Sequence, residues 1–179
     1  MEKAIEAVLE VFWRHGYDGT SVDDLLAATG LHKGSLYKAF GDKRTLFITV
    51  LERYMGYMHA GWKQVRAANP SPKDALRQWF HGVVTFKGVF KGCLVANSSA
   101  EIAPRDPEIA TMLRNFTSTF RADFAEAVEH GKKLGEFPPH VDANLAGELL
   151  VIVMFGMRVI GKHSPLSPGL VDAILASIV

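Results

Sequence analysis

Apolar residues in this chain recur at three- and four-residue spacings from end to end, and no stretch of strand length alternates strictly. Ile5, Val8, Leu9 and Phe12 share one helical face. Phe47, Leu51, Tyr54, Met58 and Val65 share another, and Ile109, Met112, Leu113, Phe116, Phe120 and Phe124 a third. Such stripes can be buried only helix against helix, so the expected fold is all-α, with about nine helices. Punctuation marks their ends. Gly16 is placed to stop the first helix, and Thr20 or Ser21 to cap a second whose first turn holds Asp23 and Asp24. Gly30 breaks that helix, and a third short one is expected over roughly 32–39. After "ANPSP", Ser71, Pro72 and Asp74 restart a helix carrying Leu76, Trp79, Phe80 and Val83 inward. A Gly-flanked break, "KGVFKGC", precedes a short apolar segment, "LVANSSAEIA", and Asp106–Pro107 opens a long helix. "GKKLGEFPPH" reads as a loop, Asp142 as the start of the most apolar helix, and Ser167–Pro168 as the start of the last, with Val171, Ile174, Leu175 and Ile178.

The bulk properties are those of an ordinary globular chain: 179 residues, 48% hydrophobic, 22% charged, net charge +1. Nothing in that balance pulls the whole molecule toward nucleic acid or membrane, so any such site must come from local patterning. The single cysteine, Cys93, excludes an intramolecular disulfide and points to a reducing, cytoplasmic compartment. The N-terminal "MEKAIEAVLEVFW" interleaves acidic with apolar residues, which does not suit a signal peptide. The apolar stretch 145–161 is short for a membrane span and carries Glu148 and Arg158, so a buried helix is expected there.

Short helix, Gly-containing turn, short helix is the spacing of a helix-turn-helix. Leu25, Leu26, Leu31, Leu36 and Phe40 supply its apolar contacts and leave Lys33, Gly34, Ser35, Tyr37 and Lys38 free to project. On a DNA-binding unit these residues face the major groove, where Lys33 bonds guanine acceptors, Ser35 meets either base edge and Gly34 admits the backbone. Tyr37, Lys43 and the helix start at Thr20 and Ser21 suit phosphate oxygens. Residues 1–50 hold six basic and seven acidic residues, a net charge of −1. Residues 32–44 hold Lys33, Lys38, Lys43 and Arg44 against Asp42 alone, a net of +3. From pattern alone a solvated helical hairpin stays open.

The stretch "TSVDDLLAATGLHKGSLYKAFGDKRTLF" (20–47) closely resembles the DNA-binding signature of the TetR family of transcriptional regulators. The matching positions are the threonine-led start Thr20–Val22, the turn Thr29–Leu31, the recognition segment Lys33–Tyr37 and the aromatic-x-x-Lys run Phe40–Lys43. The resemblance implies that Lys33, Gly34, Ser35, Tyr37 and Lys38 read DNA while Thr20, Ser21 and Lys43 hold its backbone. Two features depart from the family pattern. Ala39 stands where many members have an aromatic residue or His, and the chain begins directly in the first helix, without a preceding basic arm.

The last two helices are the expected dimer surface. Gly147, Gly156 and Gly161 permit close helix approach, the alternative being the core helix of a monomer. The resemblance favours pairing into a four-helix bundle. Between them and the DNA unit lies an aromatic-rich bundle, with Trp62, Trp79, Phe80, Phe86, Phe116, Phe120 and Phe124 beside Met55, Met58, Met112 and Met157. It reads as plain core or as a pocket anchored by Asn97, Ser98, His59, His81 or Arg121. The resemblance implies a ligand pocket, for which Met58, Trp62, Trp79, Cys93, Asn97, Phe116 and Phe120 are the candidates. Cys93, after Gly92 at a helix start, is either a thiol sensor or a small buried residue. No phosphate-binding Gly loop, zinc-protease motif or nucleophile elbow occurs, and the seven histidines are dispersed, so neither an enzyme nor a metal or cofactor site is expected.

The expectation is a cytoplasmic, homodimeric transcriptional regulator. Residues 1–45 form its helix-turn-helix domain and 46–179 its helical ligand-binding and dimerisation domain. It acts as a repressor that leaves double-stranded operator DNA on binding a small-molecule inducer or on thiol modification. The rivals are a helical small-molecule binding protein that has lost specific DNA binding and a purely structural dimer.

Overall fold

A computed structural model describes residues 2–84 and 92–178. Phe86 and most of the expected break "KGVFKGC" lie outside the described residues. Among those described, the chain forms nine α-helices, one 3-10 turn and no strand. The helices are α1 (Glu2–His15), α2 (Val22–Thr29), α3 (Lys33–Phe40), α4 (Lys43–Ala68), α5 (Pro72–Val84), α6 (Leu94–Glu101), α7 (Pro107–Lys133), α8 (Ala143–Ile160) and α9 (Leu170–Ala176). The 3-10 turn, Ala103–Arg105, follows α6. They divide into two compact units, the first Met1–Met58 with Cys93–Leu113, the second His59–Gly92 with Arg114–Val179.

The first unit closes on Val8 and Phe12 of α1, Leu25 of α2, Leu36 of α3 and Leu46, Phe47 and Leu51 of α4, all essentially inaccessible to water. Phe12 and Phe47 meet edge to face at 5.0 Å, and Tyr17 adds its ring to Phe47 at 5.0 Å. Each such side chain contributes about 1.5–3 kcal/mol by leaving water. Gly16 ends α1 with φ +74°, a left-handed position that glycine adopts at least cost, and its N–H reaches the Phe12 carbonyl at 2.9 Å.

The second unit is built on a chain of aromatic rings. Trp62 of α4 meets Trp79 of α5 at 5.9 Å and Phe124 of α7 at 5.1 Å, and Phe120 stacks on both Trp79 and His59. Asp142 caps α8, accepting from the N–H groups of Asn144 and Leu145 at 2.8 and 3.2 Å. One face of α8 is buried through Gly147, Leu150, Met154 and Met157. Leu145, Leu149, Ile152, Val159 and Ile160 on the same helix are exposed. Among the described residues α8 alone is long and apolar enough to cross a membrane, and about a third of it is buried inside the protein.

Two expectations need correction. The last helix begins at Leu170, not at Ser167–Pro168: the Ser167 carbonyl accepts the Leu170 N–H at 3.0 Å, making a turn that delivers the chain to Gly169. Ile178 lies past the end of α9 but is buried all the same. The close approach at Gly147 is to α7 of the same chain. A Cβ there would stand 2.5 Å from the Arg121 carbonyl oxygen and 2.9 Å from the Ala125 nitrogen, whereas a Cβ at Gly156 would meet nothing within 4 Å.

Candidate nucleic-acid interface

The helix-turn-helix is fixed by its caps. Ser21 and Asp24 form a reciprocal box at the start of α2: the Asp24 N–H donates to Ser21 Oγ at 3.1 Å, and the Ser21 N–H donates to Asp24 Oδ2 at 2.8 Å. The Ser21 hydroxyl donates to the same carboxylate at 2.6 Å, and these bonds hold the Asp24 carboxyl below its usual range. Gly30 ends α2 at φ +67° with its N–H on the Leu26 carbonyl. The Thr29 hydroxyl donates to the Leu25 carbonyl and accepts the Leu31 N–H, which carries the chain round into α3.

Helix α3 presents His32, Lys33, Gly34, Ser35, Lys38 and Ala39 to solvent, half-exposes Tyr37 and buries Leu36. His32 stands at its N-cap in extended conformation without a side-chain cap bond, so its side chain does not occupy the first-turn N–H groups of α3. Gly41 follows at φ +79°, ψ −117°, a combination reserved for glycine, and turns the chain sharply into α4. Asp42 caps α4 through the Thr45 N–H at 2.7 Å, which lowers its pKa and commits its charge to that helix end. Lys43 lies over the Tyr17 ring with Nζ 4.5 Å from the centroid. Burial, first of all, raises the pKa of Tyr17.

Two residues from the sequence reading behave otherwise than expected. Thr20 is 1% exposed and its hydroxyl donates to the Gly16 carbonyl at 2.7 Å, so its side chain is turned inward onto the α1–α2 turn. Arg44 does not add to the outward charge of α3. Its guanidinium bonds both oxygens of Asp106, at 2.6 and 2.9 Å, and reaches Glu108 at 2.7 Å. The outward cations of 32–44 are therefore Lys33, Lys38 and Lys43.

The ligand candidates are divided. Met58, Cys93 and Asn97 belong to the first unit, and Trp62, Trp79, Phe116 and Phe120 to the second. Cys93 is the N-cap residue of α6 and is fully buried. Ser98 is also buried, its hydroxyl on the Leu94 carbonyl at 2.6 Å. In the second unit a half-open cleft of about 460 Å³ lies between α4 and α7, lined by Trp62, Lys63, Arg66, Asp123 and Glu126. Burial raises the pKa of Asp123 and lowers that of His59, one turn before Lys63. Buried polar atoms without a hydrogen-bond partner include His59 Nε2 and Trp79 Nε1. Among the described residues no group of three His, Cys, Asp or Glu side chains is placed to hold a metal ion.

Glu101 and Arg105 carry no signal in the sequence pattern. The Glu101 carboxylate accepts the N–H groups of Tyr17 and Asp18 at 3.0 and 2.7 Å, and Arg105 pairs with Asp18. No local signal marks either contact, because the partners stand more than eighty residues apart.

A capped helix-turn-helix with an outward cationic second helix defines a DNA-binding protein of that class. Comparison with known proteins agrees. Residues 4–50 match the family model described as bacterial regulatory proteins, tetR family, and residues 69–178 match the tetracyclin repressor-like C-terminal domain. The transcriptional repressor ComR of Escherichia coli K12 is 30% identical over 166 residues, spanning 90% of this chain and 79% of that protein. The repressor DhaR of Mycobacterium sp. GP1 is 26% identical over 149 residues, 82% and 74% of the two chains. Among solved structures, a cysteine mutant of the TetR family regulator CifR in complex with 26-bp double-strand operator DNA superimposes with TM-score 0.81. It is 25% identical and covers 99% of this chain and 92% of that one. A regulator from Cytophaga hutchinsonii, 21% identical, shares the fold at TM-score 0.86 over 99% and 90% of the chains. The chain belongs to the TetR family of bacterial regulatory proteins. It is a DNA-binding transcriptional regulator, not an enzyme.

Proposed function

We propose that this regulator is a cytoplasmic repressor that binds its operator as a homodimer and leaves it when a small molecule occupies the C-terminal bundle. Residues 1–45 are the DNA-binding domain and 46–179 the ligand-binding and dimerisation domain. Lys33, Gly34, Ser35, Tyr37 and Lys38 read the major groove, and Ser21 and Lys43 hold phosphates. The observation that carries this reading is the solvent-facing side of α3, where the exposed Lys33 and Lys38 flank an exposed Gly34 and Ser35. ComR and DhaR are named as repressors and CifR is bound to operator DNA, which supports both the sign of regulation and the partner.

Pairing follows from α8. Its exposed Leu145, Leu149, Ile152, Val159 and Ile160 make an apolar face that water disfavours, and a second copy of α8 and α9 covers it. A two-fold dimer places two copies of α3 about 34–36 Å apart, one helical turn of DNA. The aromatic second unit, with Trp62, Trp79, Phe116 and Phe120, receives the ligand. Release is a shift between two populations, and going from 1:99 to 99:1 takes about 5.5 kcal/mol of differential affinity. A thiol-reactive signal has a steeper path, because Cys93 is fully buried and α6 must move before a reagent reaches it. The test is operator binding by wild-type chain and by variants of α3. Ligand-dependent stabilisation in a chain that binds no DNA would favour the rival, a small-molecule binding protein.

A further inference from the structure

The turn joining α1 to α2 is held by a carboxylate from a remote part of the chain. With Gly16 left-handed, the N–H groups of Tyr17 and Asp18 converge into a small anion-binding concavity. Glu101, the last residue of α6, occupies it, each carboxylate oxygen accepting one N–H, at 3.0 and 2.7 Å. The fit is close: a Cβ at Gly16 would stand 2.7 Å from a Glu101 oxygen. An acidic side chain at a helix C-terminus is disfavoured by the helix dipole, and α6 has no basic residue in its last turn to offset it. The offset comes from the turn. Arg105 adds a second tie by pairing with Asp18.

What this turn controls is the interface. Tyr17, gripped by its amide, lies against Phe12 and Phe47 and carries Lys43 over its ring. On the other side, Thr20 bonds back to Gly16 and Ser21 opens α2. Resting on the reading that Ser21 and Lys43 hold DNA phosphates, we infer that Glu101 is a positioning residue for operator recognition, its carboxylate setting the α1–α2 turn from which those contacts are presented. Operator affinity therefore depends on where α6 ends.

The test uses the full chain and two duplexes, one recovered by selection from fragmented genomic DNA with wild-type protein and one of shuffled sequence, both titrated by fluorescence anisotropy. Glu101→Ala is expected to weaken the selected duplex at least tenfold while leaving the shuffled duplex unchanged or slightly tighter, because a negative charge is gone. Glu101→Gln keeps one acceptor oxygen and should fall between, with the urea midpoint of each variant reporting its folding; should Glu101→Ala not fold, Glu101→Gln alone carries the test with a loss of at least threefold. Unchanged affinity for the selected duplex, or equal loss on both duplexes, would overturn the inference. A wild-type chain that prefers neither duplex would instead bring down the DNA-reading account on which the inference stands.

Discussion

Arg44 and Asp106, 62 residues apart in sequence, are joined by two hydrogen bonds of 2.6 and 2.9 Å in a side-by-side guanidinium–carboxylate pair. Arg44 sits in the first turn of α4 and Asp106 at the threshold of α7, where it also accepts the N–H groups of Glu108 and Ile109 at 3.2 Å. The pair therefore fastens the helix that follows the recognition helix to the start of α7, within the unit that contains the helix-turn-helix.

That pair makes stability depend on acid. The Arg44 guanidinium, above all, lowers the Asp106 pKa to about 2. A carboxyl depressed below its unfolded value, about 3.9, adds stability fully present above pH 4 and lost as pH falls through 2. Wild type should have a higher urea midpoint than Asp106→Asn at pH 6, with the gap closing toward pH 2. A gap independent of pH would mean that the ionised pair is not its source.

Glycines in two helices should answer oppositely to alanine. Gly147→Ala drives a methyl into the Arg121–Ala125 backbone of α7, a strain of about 1–3 kcal/mol, outweighing a gain of at most about 1 kcal/mol in helix propensity. At Gly56, exposed in α4, an added Cβ meets nothing within 4 Å, so Gly56→Ala should stabilise by about 0.5–1 kcal/mol. Urea denaturation of both variants checks the signs.

On the proposed dimer, Ile152, 62% exposed at the centre of the apolar face of α8, is the place to interrupt pairing. Ile152→Glu should sediment as a folded monomer where wild type sediments as a dimer, with operator affinity falling at least tenfold. A wild-type chain that is monomeric at micromolar concentration would contradict the proposal.

Legibility in the sequence followed the range of the interaction. The cap at Thr20 or Ser21, the stop at Gly30 and the cap at Asp142 rest on neighbours within four residues and are legible in the sequence, while the reciprocal box that settles on Ser21 with Asp24 is seen in the structure. Arg44 reads from the sequence as outward charge because its partners Asp106 and Glu108 are remote. Gly147, which the sequence offers for the dimer surface, makes its close approach to α7 of the same chain. The ligand candidates, grouped by what the resemblance implies, fall in both units, because α4 and α7 each contribute to both. Glu101 left no trace in local pattern, since an acid at a helix end reads as a solvated charge.

The most direct test of the central claim, that α3 reads DNA, is anisotropy of wild type and of Lys33→Ala/Tyr37→Ala on the selected and shuffled duplexes across a salt series. The account predicts tight, sequence-dependent binding by wild type, with log affinity falling linearly against log salt, and loss of that preference in the double variant. Equal binding of both duplexes by wild type, unchanged by the two substitutions, would contradict it.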